Sequence, residues 1–229
     1  MTTINMKVLV GEIIYLFLFF ALPLFLAAGT VAWLAGWIFM ALFFGFVFAI
    51  TFWLFKYNPD LLKERTTINK PDQKSWDKVF TFGLIYIVFL GWLILMPLDA
   101  VRLHWSQVPV WLQVVGVVIL LCSFYLFFAT FRENAYLSPM VRIQKDRGQK
   151  VVTTGPYHYV RHPMYTAALL LFVGTPLLLG SWYGVLMGLI VEVMVAIRAV
   201  LEERALRKEL EGYDAYMEQV KYRLIPYVW

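Results

Sequence analysis

Apolar residues run almost unbroken along most of this chain, and polar residues interrupt them in a few compact blocks. The runs fall at about 9–28, 32–55, 79–98, 109–131, 164–179 and 182–200. Most approach the roughly 20 residues that a helix needs to cross a bilayer, so the pattern predicts about six transmembrane helices. The fifth run is short, and the turn Gly180-Ser181-Trp182 that joins it to the sixth is tight. Those two runs therefore read as a tilted or incompletely crossing hairpin, which keeps a count of five open. Lys7 before the first run and Ala27-Ala28-Gly29 after it resemble a signal peptide. The run is long, however, and a second follows at once, so a transmembrane hairpin is expected.

Composition makes lipid the solvent. At 61% hydrophobic and 15% charged, 229 residues cannot enclose one soluble core without leaving large apolar patches in water. The expected fold is an all-α, polytopic membrane bundle forming one domain over 1–229, its first four spans in 1–130 and its polar machinery in 131–229. Cys122 is the single cysteine and lies in an apolar stretch, which excludes an intrachain disulfide and a cysteine metal site; no metal site is expected. The charge of +5 and pI near 9.2 do not point to nucleic acid, because the basic residues flank apolar segments. Lys7, the loop 56–78, the loop 132–161 and the tail from Arg198 hold every Lys and Arg except Arg102. Basic loops stay in the cytoplasm, so both termini are expected there. Trp33, Trp37, Trp76, Trp105, Trp111, Trp182 and Trp229 lie mostly at span ends, as interfacial anchors do.

Polar chemistry is thus confined to 56–78, 131–163 and 198–229. The second block carries Val141 to Gly148, then Gly155-Pro156-Tyr157, then Arg161-His162-Pro163-Met164-Tyr165. Pro163 suits the first position of a helix, where its missing N–H costs nothing. A helix N-terminus flanked by Arg161 and His162 can seat a carboxylate or phosphate, or can be a helix start with interfacial anchors. In the third block Arg198 and Glu202 share a helix face, while Glu203 lies on a stripe with Glu192 and Ala199. This reads either as a site or as an intrahelical ion pair leading into an amphipathic surface helix from 202 to 218. Glu192, inside a span, either lines a cavity or is protonated and hydrogen-bonded.

The ordered set Gly155-Pro156-Tyr157, Arg161-His162-Pro163-Met164-Tyr165, Arg198 with Glu202-Glu203, Gly212-Tyr213 with Tyr216, and Val220 to Pro226 resembles the isoprenylcysteine carboxyl methyltransferases and the related phospholipid methyltransferases. The resemblance covers roughly 130–229. It implies a multispan enzyme that binds S-adenosylmethionine at the cytoplasmic face and methylates a lipophilic acceptor reached from the bilayer. It implies cofactor contacts from Gly155, Tyr157, Arg161, His162, Pro163, Tyr165, Glu202 and Glu203, and roles close to acceptor and methyl donor for Arg198 and Glu202. The segments Arg142 to Gly148 and Asn58-Pro59-Asp60 suggest a prokaryotic branch, hence an inner membrane.

Few bases are available: His158, His162 and the glutamates. A carboxylate acceptor needs none, whereas an amine or thiol must lose a proton. The carboxyl-terminal region, with Tyr213, Tyr216 and Tyr222 to Pro226, also resembles membrane sterol and steroid reductases, which implies NADPH as the alternative cofactor. The paired glutamates and the short chain favour methyl transfer. On the sequence alone, Arg198→Ala and Glu202→Gln are expected to abolish turnover and leave the fold intact.

Overall fold

The computed structural model describes residues 6–66, 74–78 and 86–229. Lipid offers no partners to a backbone N–H or C=O, so apolar segments satisfy themselves as helix. In chain order the helices are α1 (Met6–Ala28), α2 (Leu34–Tyr57), α3 (Pro59–Thr66), α4 (Ser75–Lys78), α5 (Tyr86–Pro97), α6 (Val110–Glu133), α7 (Pro163–Leu179), α8 (Trp182–Glu209) and α9 (Tyr213–Gln219). Each of the six apolar runs carries a helix, although residues 79–85 of the third run lie outside the described residues. Helices α1, α2, α6 and α8 are long and apolar enough to cross a membrane. Helix α7 has 17 residues and spans about 25 Å at the standard rise, less than a hydrocarbon core of about 30 Å. Helix α5 continues into a π-helical turn, Leu98–Arg102.

Among the four long spans the bundle wraps α8 most deeply and leaves α1 at the periphery. Only 17% of the α1 apolar window is buried, against 44% for α8. Leu26, Phe52, Val110, Tyr125, Leu186 and Val193 project outward as a lipid-facing surface. The core is built from Phe20 and Leu24 of α1, Phe39 and Met40 of α2, Trp92 and Met96 of α5, Leu120 of α6, Phe172 of α7 and Val191 of α8. Its fully buried indole is satisfied, since Trp92 Nε1 donates to the Gly184 carbonyl at 2.8 Å.

Helices α6 and α7 pack backbone to backbone. A Cβ at Gly174 would stand 2.8 Å from Leu120 N and 2.9 Å from Gly116 O, and one at Gly116 would stand 2.5 Å from Leu178 N. Without a hydrophobic force between helices in lipid, close approach through small residues supplies the packing. Gly174→Leu is therefore expected to cost at least about 1–3 kcal/mol, read as a lowered melting temperature in detergent; an unchanged melt would remove this contact from the account.

At the end of the bundle that carries few charges, the π turn presents Asp99 to the start of α8. Asp99 Oδ2 accepts from Ser181 Oγ at 2.5 Å, Ser106 Oγ at 2.6 Å and the Tyr183 N–H at 3.3 Å. A carboxylate there complements the positive helix end. The basic blocks meet at the other end, and one expectation for them needs correction. Residues 202–218 do not form a single surface helix. Helix α8 continues to Glu209, the chain reverses at Gly212 with φ of 83°, and α9 folds back to bury Tyr213 and Tyr216 against Tyr157. Two tyrosines on one short helix are better removed from water than laid along a surface.

Candidate functional site

Two polar clusters, both anchored on α8, frame one cleft. The first surrounds Glu203. Arg161 Nε donates to Glu203 Oε1 at 2.5 Å and Arg223 Nε to Oε2 at 2.8 Å. Arg161 Nη1 also donates to the carbonyls of Val220 and Lys221, each at 2.7 Å. The backbone joins in: the N–H groups of Arg161 and His162 donate to the carbonyls of Tyr222 and Arg223 at 2.9 Å, and Thr166 Oγ1 to Leu224 O at 2.7 Å. The carboxyl-terminal segment is thereby strapped across the start of α7, whose first residue is Pro163 as the sequence predicts. A carboxylate gripped by two guanidiniums in a buried setting fixes geometry more than it leaves reactivity.

The second cluster is a relay of four side chains from three segments. Asp77 of α4 is fully buried and its Oδ1 accepts from Arg198 Nε at 3.0 Å, while Oδ2 accepts the Val141 N–H at 2.8 Å. Arg198 Nη1 donates to the Tyr165 hydroxyl at 2.5 Å and Nη2 to Pro139 O at 3.0 Å. The Tyr165 hydroxyl in turn donates to Glu202 Oε2 at 2.5 Å. Arg198 and Glu202, which share a face as expected, are thus linked through Tyr165 rather than as a direct pair. A further buried pair ties the same loop down, with Arg142 donating from Nε and Nη2 to the two oxygens of Glu64, each at 3.1 Å.

Between the clusters opens a cleft with about 850 Å³ of free space, its mouth included. Val151, Val152, Leu206 and Leu210 give it an apolar wall; Glu202, Tyr165 and the N-terminal turn of α7 give it a polar one. Tyr157, Arg161, His162 and Pro163 line it as well. Two buried polar atoms on this lining lack hydrogen-bond partners, His162 Nε2 and the Tyr213 hydroxyl. The His162 nitrogen stands 3.5 Å from Glu203 Oε1, at the limit of hydrogen-bond distance and without a well-formed bond. Burial, reinforced by the charges of Glu203 and Glu202, raises the Tyr213 hydroxyl above its ordinary pKa, so it remains a donor at neutral pH. Burial does the same to Tyr157, whose hydroxyl accepts from Asn134 Nδ2 at 2.7 Å.

Six residues singled out from sequence, Tyr157, Arg161, His162, Pro163, Tyr165 and Glu202, therefore share one lining. Gly155, Arg198 and Glu203 do not line it. Gly155 adopts a φ of +58° against the Glu133 side chain, where a Cβ would collide. Glu192 is buried with neither carboxylate oxygen hydrogen-bonded, and it does not line this cleft. Sequence reasoning missed Asp77, which lies 121 positions from Arg198 with no local pattern to pair them. It also missed the use of Tyr213 and Tyr216 as wall rather than punctuation; the Gly212 turn before them was the available signal.

Asp77 adds a stability cost to Arg198→Ala that is not readable from the sequence, since the substitution takes a guanidinium from a buried carboxylate.

Residues 111–211 match the phospholipid methyltransferase family, within the isoprenylcysteine carboxyl methyltransferase and phospholipid methyltransferase group that the carboxyl-terminal motifs resemble. Among curated proteins none matches the chain. The matched region contains Arg161, Tyr165, Arg198, Glu202, Glu203 and most of the cleft lining, leaving Asp77 and the strap from Val220 outside it, and it indicates a membrane methyltransferase.

Proposed function

We propose that this single-domain chain transfers a methyl group from S-adenosylmethionine to a lipophilic acceptor at the cytoplasmic membrane face, both termini lying on that side of a prokaryotic inner membrane. The observation that carries the reading is the cleft itself: unpartnered polar atoms beside a carboxylate edge and an apolar wall, most of it built from the region matched to the methyltransferase family. The mixed lining suits a ligand with an apolar purine face, hydroxyls and an amino-acid end. Val151, Val152, Leu206 and Leu210 offer the apolar surface, Glu202 an acceptor for ribose or amino donors, and the Tyr213 hydroxyl an unused donor. The N-terminal turn of α7 favours a carboxylate.

When bound, the cofactor supplies an electrophilic sulfonium methyl, whose transfer needs no metal. The chain must then hold donor and acceptor in line and keep water out. Glu202 and Tyr165 face the cleft and do the holding. Arg198 acts through Tyr165, keeping its hydroxyl pointed at Glu202, and so is a positioning residue in this state. Arg161 and Glu203 hold the strap that forms the cleft's far edge. An isoprenylcysteine-like or other lipid carboxylate fits a site with few bases, and a thiol or amine would call on His162 or Glu202.

The test is transfer of radiolabel from methyl-tritiated S-adenosylmethionine into organic-extractable material by membranes containing the chain. Native membranes are expected to label lipid well above vector controls, and no labelling above control would overturn the proposal.

A further inference from the structure

A second cavity lies beside the cleft, between α1, α2, α6 and α7. It has about 1090 Å³ of free space with its open side included, and its walls are chiefly apolar, with Phe46, Phe124, Phe127 and Phe131 among them. Two ionisable side chains break that surface, Arg65 from the end of α3 and Glu12 from α1. Arg65 is unusual. Its Nη1 is buried with no hydrogen-bond partner, and its guanidinium lies over the Phe131 ring, 4.7 Å from the centroid. A cation–π contact compensates a desolvated guanidinium only in part, and leaving such a donor unpaired is costly. Burial draws its pKa down to about 10, so the group is still a cation at neutral pH.

An apolar groove with one charged donor held at its wall has the chemistry of an amphiphile site. We infer that this groove binds the chain of a lipid whose anionic head, a carboxylate or a phosphate, pairs with Arg65. Met164 lines both this groove and the cleft that contains Glu202. An amphiphile in the groove thus lies one side chain from the cleft. On the methyl-transfer reading, on which this step alone rests, the groove is placed to pass its amphiphile to the cleft. The fit of the groove to its ligand stands without it.

Binding to the detergent-purified chain separates these claims. Oleate, oleoyl lysophosphatidate and oleyl alcohol share a chain and differ in head group, so the first two also distinguish carboxylate from phosphate. At least one anionic probe is expected to bind about tenfold tighter than the alcohol. Arg65→Gln should erase that preference while leaving the alcohol and S-adenosylhomocysteine unaffected. Val47→Trp, which fills the apolar wall, should weaken all three probes together. Equal affinities across the three head groups, an unchanged preference in Arg65→Gln, or indifference to Val47→Trp would each overturn the assignment. Failure of S-adenosylhomocysteine to bind the native chain would instead count against the methyl-transfer reading and leave the groove's result standing.

Discussion

Arg198→Ala is expected to destabilise the chain by about 1–3 kcal/mol, in part because it takes a guanidinium from buried Asp77. In the native fold Arg198 donates to Asp77 at 3.0 Å, to Tyr165 at 2.5 Å and to the Pro139 carbonyl at 3.0 Å. Truncation removes all three donors from a setting where Asp77 is fully buried. A neutral residue at position 77 should relieve part of the damage, so Arg198→Ala combined with Asp77→Asn is expected to melt closer to the native chain than Arg198→Ala alone. Turnover should not return with it, because Tyr165 has still lost the group that aims its hydroxyl at Glu202. A thermal melt and a labelling assay on both variants check this. A double variant that regains activity with stability would reduce Arg198 to scaffolding, and equal melts for the single and double variants would mean the Asp77 contact carries little.

Glu202→Gln is expected to lower methyl transfer by about 100-fold or more, with the fold retained. Glutamine is close to isosteric, and among the described residues Glu202 is held through the Tyr165 hydroxyl, whose bond an amide oxygen can still accept. What the change removes is the negative charge on the cleft wall, where a cofactor's hydroxyls or amino group would bind to a carboxylate about twice as strongly as to a neutral acceptor. Loss of one such preorganised contact in a water-excluded site has an effect of this size. Near-native rates would take Glu202 out of the reaction. The contrast with Arg161 is instructive. That residue lines the cleft, yet its guanidinium is committed to Glu203 and to two carbonyls of the strap. Arg161→Ala should therefore appear first as loss of folded protein in size-exclusion chromatography, and a well-folded variant with unaltered melting would contradict the strap's role.

Much of the fold was readable because the bilayer imposes one solution on long apolar runs. The starts of α7 at Pro163 and of the turn at Gly180 fell where proline and glycine require them. The tail was harder. Helical periodicity continues through 202–218, and only Gly212, followed by two tyrosines that seek burial, marks where the chain reverses. The site divides in the same way. Arg161, His162, Pro163 and Tyr165 are contiguous and their convergence on a helix start is a local property. The partition between Glu202, which faces the cleft, and Glu203, which is buried in an ion cluster, depends on Arg223 and on the returning strap. No helical wheel contains that information. Asp77 and Arg65 belong to the loop and short helices after α2, where sequence showed only scattered charge. Their roles emerge from residues more than 60 positions away in the case of Arg65 and Phe131, and 121 in the case of Asp77 and Arg198.

Calorimetric titration of the detergent-purified chain with S-adenosylmethionine, S-adenosylhomocysteine and NADPH, alongside Glu202→Gln, addresses the cofactor directly. Saturable binding of the first two, weakened at least about tenfold in the variant, with no heat from NADPH, is the expected outcome. Saturable binding of NADPH alone, or binding of S-adenosylmethionine that Glu202→Gln leaves untouched, would contradict the assignment of this cleft.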